Sequence, residues 1–159
     1  MGKNSFNLSP RFLLHYHPFM PILRSKVQAP NECYEACPLL FWTVLLIACR
    51  RYAKAQNLFD VLTEHIGKEM WPVCTSLHQS MEAIHAVLLL CTWPLISVRL
   101  VSDSCMLLTQ SAMNGCASLG LHTGQGSHPE FCFGPRSEMV ASDEEAAATW
   151  VGACIATQR

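Results

Sequence analysis

Charge is the scarcest commodity in this chain. Asp, Glu, Lys and Arg make up 14 % of its 159 residues, against about 25 % in ordinary globular domains. The signs nearly cancel, 11 basic against 12 acidic, for a net charge of −1. The densest basic group, Arg50, Arg51 and Lys54, amounts to one helical turn. Nucleic-acid affinity needs several phosphate-neutralising cations gathered on one face, so the composition gives no DNA-reading surface. Long apolar runs are missing as well. The run from Pro38 to Cys49 holds twelve residues; at about 1.5 Å each it reaches about 18 Å, short of the roughly 30 Å of a bilayer core. A second apolar run, Ala86 to Val98, is interrupted by Pro94. Both are expected to be core helices, with a small membrane-associated helical protein as the alternative.

Chemical motifs are absent too. There is no G-x-S-x-G elbow, no phosphate loop and no paired motif around a cysteine nucleophile, so no enzyme activity, catalytic residue or small-molecule substrate is expected. The glycine-rich "TGQGSH" neither follows a strand nor opens a helix, as a dinucleotide site would. Structural zinc sites use matched pairs such as C-x2-C. Here C-x2-C never occurs, and Cys33 and Cys37 stand alone at C-x3-C spacing. His78, Glu82 and His85 fall at i, i+4, i+7 on one helical stripe and form a candidate ligand trio. The stripe borders an apolar face, however, so a solvated polar flank is the expected reading. His15 and His17, two apart, point differently on a helix. No metal site and no cofactor are expected in this chain.

What the chain has in plenty is apolar material, 50 % of residues, and nine cysteines, at 33, 37, 49, 74, 91, 105, 116, 132 and 154. The N-terminus lacks a secretory pattern, and Phe6 stands where a myristoylation motif requires Ser or Thr. An odd number of cysteines, mostly within apolar segments, predicts buried thiols in a reducing compartment. So little polar surface leaves apolar area for a lipid, a partner or further parts of a longer protein, and the last of these is expected.

The periodicity predicts helices throughout. Ser9-Pro10 starts a short first helix, halted by Pro18 and Pro21, and Arg24–Glu32 reads as loop. A second helix, apolar all round from Leu39 to Ala48, has Arg50 and Arg51 near its C-terminal end, where cations suit the dipole. A third carries Leu58, Val61, Leu62 and Ile66 on one face and ends at Trp71-Pro72. A fourth begins with the capping-box spacing of Ser76 and Gln79, repeats Leu77, Met81, Ile84, Leu88 and Cys91, and closes at Trp93-Pro94. A fifth, capped by Asp103, runs through Met106, Leu107, Met113 and Ala117 to Gly120 as its C-terminal glycine. After a Gly- and Pro-rich loop, Ser142 and Glu145 form a second capping box. The last helix is expected to bury Ala147, Trp150, Val151, Cys154 and Ile155. With no strand alternation, the class is all-α, an irregular multi-helix bundle.

Five segments then carry a family likeness: "LLHYHPFMPIL" (13–23), "CPLLFWTVLLIACRRYA" (37–53), "LLLCTWPL" (88–95), "SLGLH" (118–122) and "TWVGACIATQR" (149–159). In this order and spacing the chain resembles the fungal-specific transcription factor domain, the middle homology region of fungal zinc-cluster transcription factors. The nearest branch is that of regulators of secreted-protease genes. The likeness covers most of Phe12 to His122 and the last helix. It implies an all-helical regulatory region of a nuclear protein controlling RNA polymerase II transcription. In that family DNA is bound through a separate N-terminal six-cysteine zinc cluster, the only place zinc is expected. The C-x2-C-x6-C pattern of that cluster is absent from these cysteines. "GLHTG" and "AAATW" also depart from the more basic residues usual there. The resemblance therefore implies a single partial regulatory domain over 1–159, with an internal loop at 123–141. Its implied partners are further parts of the same regulator or a second copy, with DNA reached only through the missing cluster.

Overall fold

The computed structural model describes residues 8–23, 30–51, 56–77, 80–95, 104–126 and 141–158. Within them the elements are α1 (Leu8–His15), α2 (Pro30–Ala36), α3 (Pro38–Cys49), α4 (Gln56–Cys74), α5 (Met81–Thr92), α6 (Cys105–Ser118) and α7 (Asp143–Thr157), with 3-10 turns at His17–Phe19 and Leu121–Thr123. There is no strand among the described residues, and the all-α multi-helix class read from sequence holds. Two helices form the centre. α3 packs against α1, α2, α4 and α5, while α5 packs against α3, α4, α6 and α7.

α3 starts where proline dictates. Cys37 is extended (φ −157°, ψ 100°), the geometry forced on a residue before proline, and Pro38 supplies a fixed φ at the first helical position. From Leu39 onward only Phe41 and Trp42 are not fully buried, so the all-round apolar pattern marks a central helix. Its outer edge stacks aromatic rings: Tyr34 meets Phe41 at 5.5 Å and Trp42 meets His65 at 5.6 Å. The segment before it is not all loop. Pro30–Ala36 is a helix that buries Cys33, its first residue again a proline that gives up no needed amide.

Several helix limits differ from the sequence reading, beginning with α1, which starts at Leu8 and so takes in Ser9, expected as its cap. α4 runs through Pro72 to Cys74 instead of stopping at Trp71. In the last turn Pro72 removes one hydrogen bond. Met70 is buried just before it, and Val73 and Cys74 pack on the core beyond it. The end is closed by hydroxyls, Thr75 donating to the Pro72 carbonyl at 2.7 Å and Ser76 to that of Val73 at 3.2 Å. Ser76 therefore finishes α4 and does not open α5. The N-cap of α5 is Ser80, whose Oγ accepts from the Ala83 amide at 3.2 Å; Gln79 lies outside the described residues. Leu77, Met81, Ile84, Leu88 and Cys91 are buried as expected, but so is every residue from Ala83 to Leu90. α5 ends at Thr92, before Trp93-Pro94, as the sequence requires.

α4 buries its apolar stripe with Val61 left out of it, whereas α6 and α7 bury a different stripe from the most hydrophobic one. α4 turns Phe59, Leu62, Ile66 and Met70 inward and leaves Val61 63 % exposed. α6 buries Leu108, Thr109, Ala112, Gly115 and Cys116, while Met106 and Leu107 stand exposed; its N-cap is Ser104, not the expected Asp103, which lies outside the described residues. α7 buries Ala146, Thr149, Gly152, Ala153 and Ala156. Of the five residues expected inside it, Val151 and Ile155 are 53 % and 62 % exposed, and Ala147, Trp150 and Cys154 are half-buried. The cause is distance. A Cβ on Gly152 would lie 3.0 Å from Met20 Cε and 3.1 Å from Ile22 Cγ2, and one on Gly115 3.1 Å from Leu77 Cβ. Where α6 and α7 approach neighbouring segments this closely they admit only small side chains, and the large ones are displaced to the flanks.

The local end signals are realised. Ser142 and Glu145 exchange both capping bonds, Glu145 N–H to Ser142 Oγ and Ser142 N–H to Glu145 Oε2, each at 3.2 Å. Gly120 adopts the left-handed conformation (φ 73°) after α6, and Leu121 beside it is fully buried. Of the 123–141 loop, residues 127–140 lie outside the described residues. At its edges Gly126 donates to Asp143 Oδ1 at 2.9 Å.

Candidate functional site

In so apolar an interior, function and specificity rest on the few polar groups that enter it. Two joints stand out, each connecting segments far apart in sequence. The first is made by Arg50, which follows the last residue of α3. Its Nη2 donates to the Trp93 carbonyl at 3.0 Å and also to the Pro94 carbonyl. The Trp93 ring meets Tyr16 edge-on at 5.5 Å and Phe12 at 6.5 Å. Arg50 thus ties the end of α3 to the turn after α5, over an aromatic wall from α1 and the turn after it. Burial lowers the pKa of its guanidinium, with the Tyr16 phenol acting the other way. Its Nε and the Tyr16 Oη are both buried without a hydrogen-bond partner among the described residues. Only Arg51 of the basic cluster is exposed, and Lys54 lies outside the described residues. Arg50 is a structural clamp, and among the described residues only Arg51 of this cluster is left facing solvent.

The second joint is His85, on α5. It is buried, and its Nε2 pairs with Thr149 Oγ1 of α7 at 2.8 Å. Thr149 in turn donates to the Glu145 carbonyl at 2.7 Å, which leaves its oxygen to accept from the Nε2–H tautomer. The solvated-flank reading of His85 is therefore corrected: this histidine faces α7. Glu82 stays near the start of α5 and accepts from the Ser80 hydroxyl at 3.0 Å. His78 lies outside the described residues. His17 donates from Nε2 to the Leu23 carbonyl at 2.6 Å, while His15 is exposed. No three His, Cys, Asp or Glu side chains among the described residues are grouped closely enough to hold a metal ion.

The thiols sit in apolar surroundings. Cys33, Cys37, Cys49, Cys91 and Cys116 are buried and Cys74, Cys105 and Cys154 partly so; Cys132 lies outside the described residues. Burial, with help from the neighbouring Cys37 thiol and Glu82, pushes Cys33 up to about 11. Burial and the neighbouring Cys154 push Cys116 to about 12. Such thiols keep their protons at neutral pH and are poor nucleophiles. The arrangement of these polar groups and thiols joins helices to one another. Sequence reasoning missed both Arg50 and Thr149 as joints. The signal for Arg50 was its place after an all-apolar helix, where a charge must find carbonyls or leave the core. No local signal marked Thr149.

Among the described residues no helix is long and apolar enough to cross a membrane, so the membrane-associated alternative is not favoured. No protein-family model matches the chain, and no solved structure matches it. Curated sequences do. The chain is 29 % identical over 150 residues to "Putative transcription factor SEF1" of Eremothecium gossypii, covering 92 % of this chain and 14 % of that protein. It is 32 % identical over 120 residues to the protein of the same name from Saccharomyces cerevisiae, covering 72 % of this chain and 10 % of the relative. With "Transcriptional regulatory protein SEF1" of Candida albicans it shares 30 % identity over 125 residues, 78 % of this chain and 13 % of that protein. The chain therefore spans between a tenth and a seventh of the length of these relatives. By sequence it is similar to one segment of the SEF1 proteins of yeasts.

Proposed function

We propose that this chain is part of the regulatory helical region of a fungal zinc-cluster transcription factor, acting in the nucleus on RNA polymerase II transcription. The observation that carries the reading is the alignment of 92 % of the chain with a protein named as a transcription factor. The all-helical architecture, and polar groups used as joints between helices, agree with a scaffold and not an enzyme. Residues 1–159 form a single portion of that region, with 123–141 as an internal loop. DNA is bound through a zinc cluster elsewhere in the full-length regulator, where zinc is also confined. The relatives carry names other than those of secreted-protease regulators, so the proposal stops at the wider group. Its partners are other parts of the same regulator or a second copy.

Sequencing of the full transcript that encodes the chain tests this. An in-frame upstream six-cysteine cluster with C-x2-C-x6-C spacing is expected. An in-frame neighbour of another class, or stop codons bounding the frame at both ends of this chain, would overturn the reading.

A further inference from the structure

The end of α5 and the start of α6 bring two cysteines together. Cys91 lies in the last turn of α5, and Cys105 is the first residue of α6. The Cys105 Sγ is 3.6 Å from the Cys91 carbonyl oxygen, and the Cys91 Sγ is 4.0 Å from the Cys105 carbonyl oxygen. Each sulfur rests against the backbone of the other residue, so the two side chains run alongside one another. A disulfide requires Cα atoms about 4.4–6.8 Å apart and converging Cβ atoms. With each sulfur against the backbone of the other residue, the two cysteines are the spatial neighbours such a bond needs. Access is graded as well: Cys105 is half-buried, whereas Cys91 is fully enclosed. A reagent from solution therefore meets Cys105 first, with Cys91 beside it as the resolving thiol.

We propose that Cys91 and Cys105 form a hydroperoxide-sensitive dithiol that closes to an intramolecular disulfide. In the first step the Cys105 sulfur attacks the peroxide oxygen, the O–O bond breaks, and the alcohol or water formed takes up the thiol proton. Cys105 is then a sulfenic acid, and the peroxide has been reduced by two electrons. In the second step the Cys91 sulfur attacks the sulfenyl sulfur. The S–S bond forms, the S–OH bond breaks, and hydroxide departs as water with the Cys91 proton. The bond would pin the end of α5 to the start of α6 and freeze the Trp93-Pro94 turn that Arg50 grips. Cys33 and Cys37 are both buried, so neither is offered first to a reagent. Half-buried Cys154 beside buried Cys116 is the competing pair, and a dominant Cys116–Cys154 link would overturn the proposal.

Treatment of the full chain with equimolar hydrogen peroxide, followed by non-reducing peptide mapping, tests the proposal. A linked Cys91–Cys105 peptide is expected as the dominant product, enriched at least about ten-fold over the same treatment in urea, where contact no longer selects partners. Cys105→Ser should abolish the link. Cys91→Ala, which keeps the enclosed site apolar, should leave Cys105 as a sulfenic acid captured by dimedone. The wild-type ratio alone decides the matter if a variant fails to fold. Equal yields in native and unfolded chain, a dominant link between other cysteines, or dimedone capture of Cys105 in the wild type without any link would each overturn it.

Discussion

Ile155 separates two accounts of why α7 is seated as it is. If hydrophobicity chose the face, Ile155 would be a core residue, and Ile155→Ala would cost about 2–5 kcal/mol as a large-to-small core change. In the structure Ile155 is 62 % exposed, leaving little more than a third of its surface covered. Full burial of such a side chain contributes about 1.5–3 kcal/mol, so the covered fraction is worth roughly 0.6–1.1 kcal/mol by the same scale. Alanine is the better helix former, which returns a few tenths of a kcal/mol. The net loss for Ile155→Ala is then at most about 0.8 kcal/mol. Gly152 gives the opposite sign of test. Gly152→Val puts its Cβ 3.0 Å from Met20 Cε and 3.1 Å from Ile22 Cγ2, with two further methyls to fit, and overpacking of this kind costs about 1–3 kcal/mol. Urea denaturation of the two variants beside wild type measures both, read as shifts of midpoint at constant slope. The expected order is Gly152→Val much less stable than Ile155→Ala. A loss above about 2 kcal/mol for Ile155→Ala, the lower bound for a core isoleucine, with Gly152→Val near wild type, would refute the small-residue seating of α7.

Three further outcomes follow from the polar joints and the thiols. Arg50→Ala removes charge-assisted bonds to the Trp93 and Pro94 carbonyls and should cost about 1.5–3 kcal/mol; Arg51→Ala, at an exposed position, should stay within about 0.5 kcal/mol, and equal effects in denaturation would count against the clamp. Thr149→Val keeps the shape but deprives His85 Nε2 of its acceptor, with an expected loss of about 1–3 kcal/mol; unchanged thermal stability would show that the bond contributes nothing. Cys33 and Cys116, raised in the folded state from 9.0 to about 11 and about 12, contribute stability that is present below pH 9 and is lost as the pH rises through those values, because the unfolded chain releases the proton first. Denaturation midpoints should fall with pH in that window, and Cys33→Ala with Cys116→Ala should flatten the decline; an identical slope in the double variant would exclude these thiols as its source.

Several features were legible because their causes lie within a few residues. The prolines set the start of α3 through the extended Cys37, and Trp93-Pro94 ends α5. Ser142 with Glu145, and Gly120 in the left-handed region, mark helix ends by local hydrogen bonding and sterics. An all-apolar run too short for a bilayer reads as a central helix, and α3 is one. Where local rules failed, something distant had intervened. Pro72 does not end α4, since Met70, Val73 and Cys74 find partners in the core. Ser76 loses the role of cap to Ser80, because its hydroxyl is taken by the preceding helix.

By itself, then, the sequence determined the helical class, most helix ends, the central place of α3 and the likeness to a segment of the SEF1 proteins. Caps, prolines and apolar periodicity act over one or two turns, and no distant residue is needed to read them. Only the tertiary structure decided which face of α6 and α7 turns inward, that His85 meets Thr149, and that Arg50 holds the turn after α5. The seating of α6 and α7 depends on how closely neighbouring segments approach them. Gly115 and Gly152 permit contacts that larger side chains would block, and the helix presents whichever stripe fits the gap, not whichever is most hydrophobic.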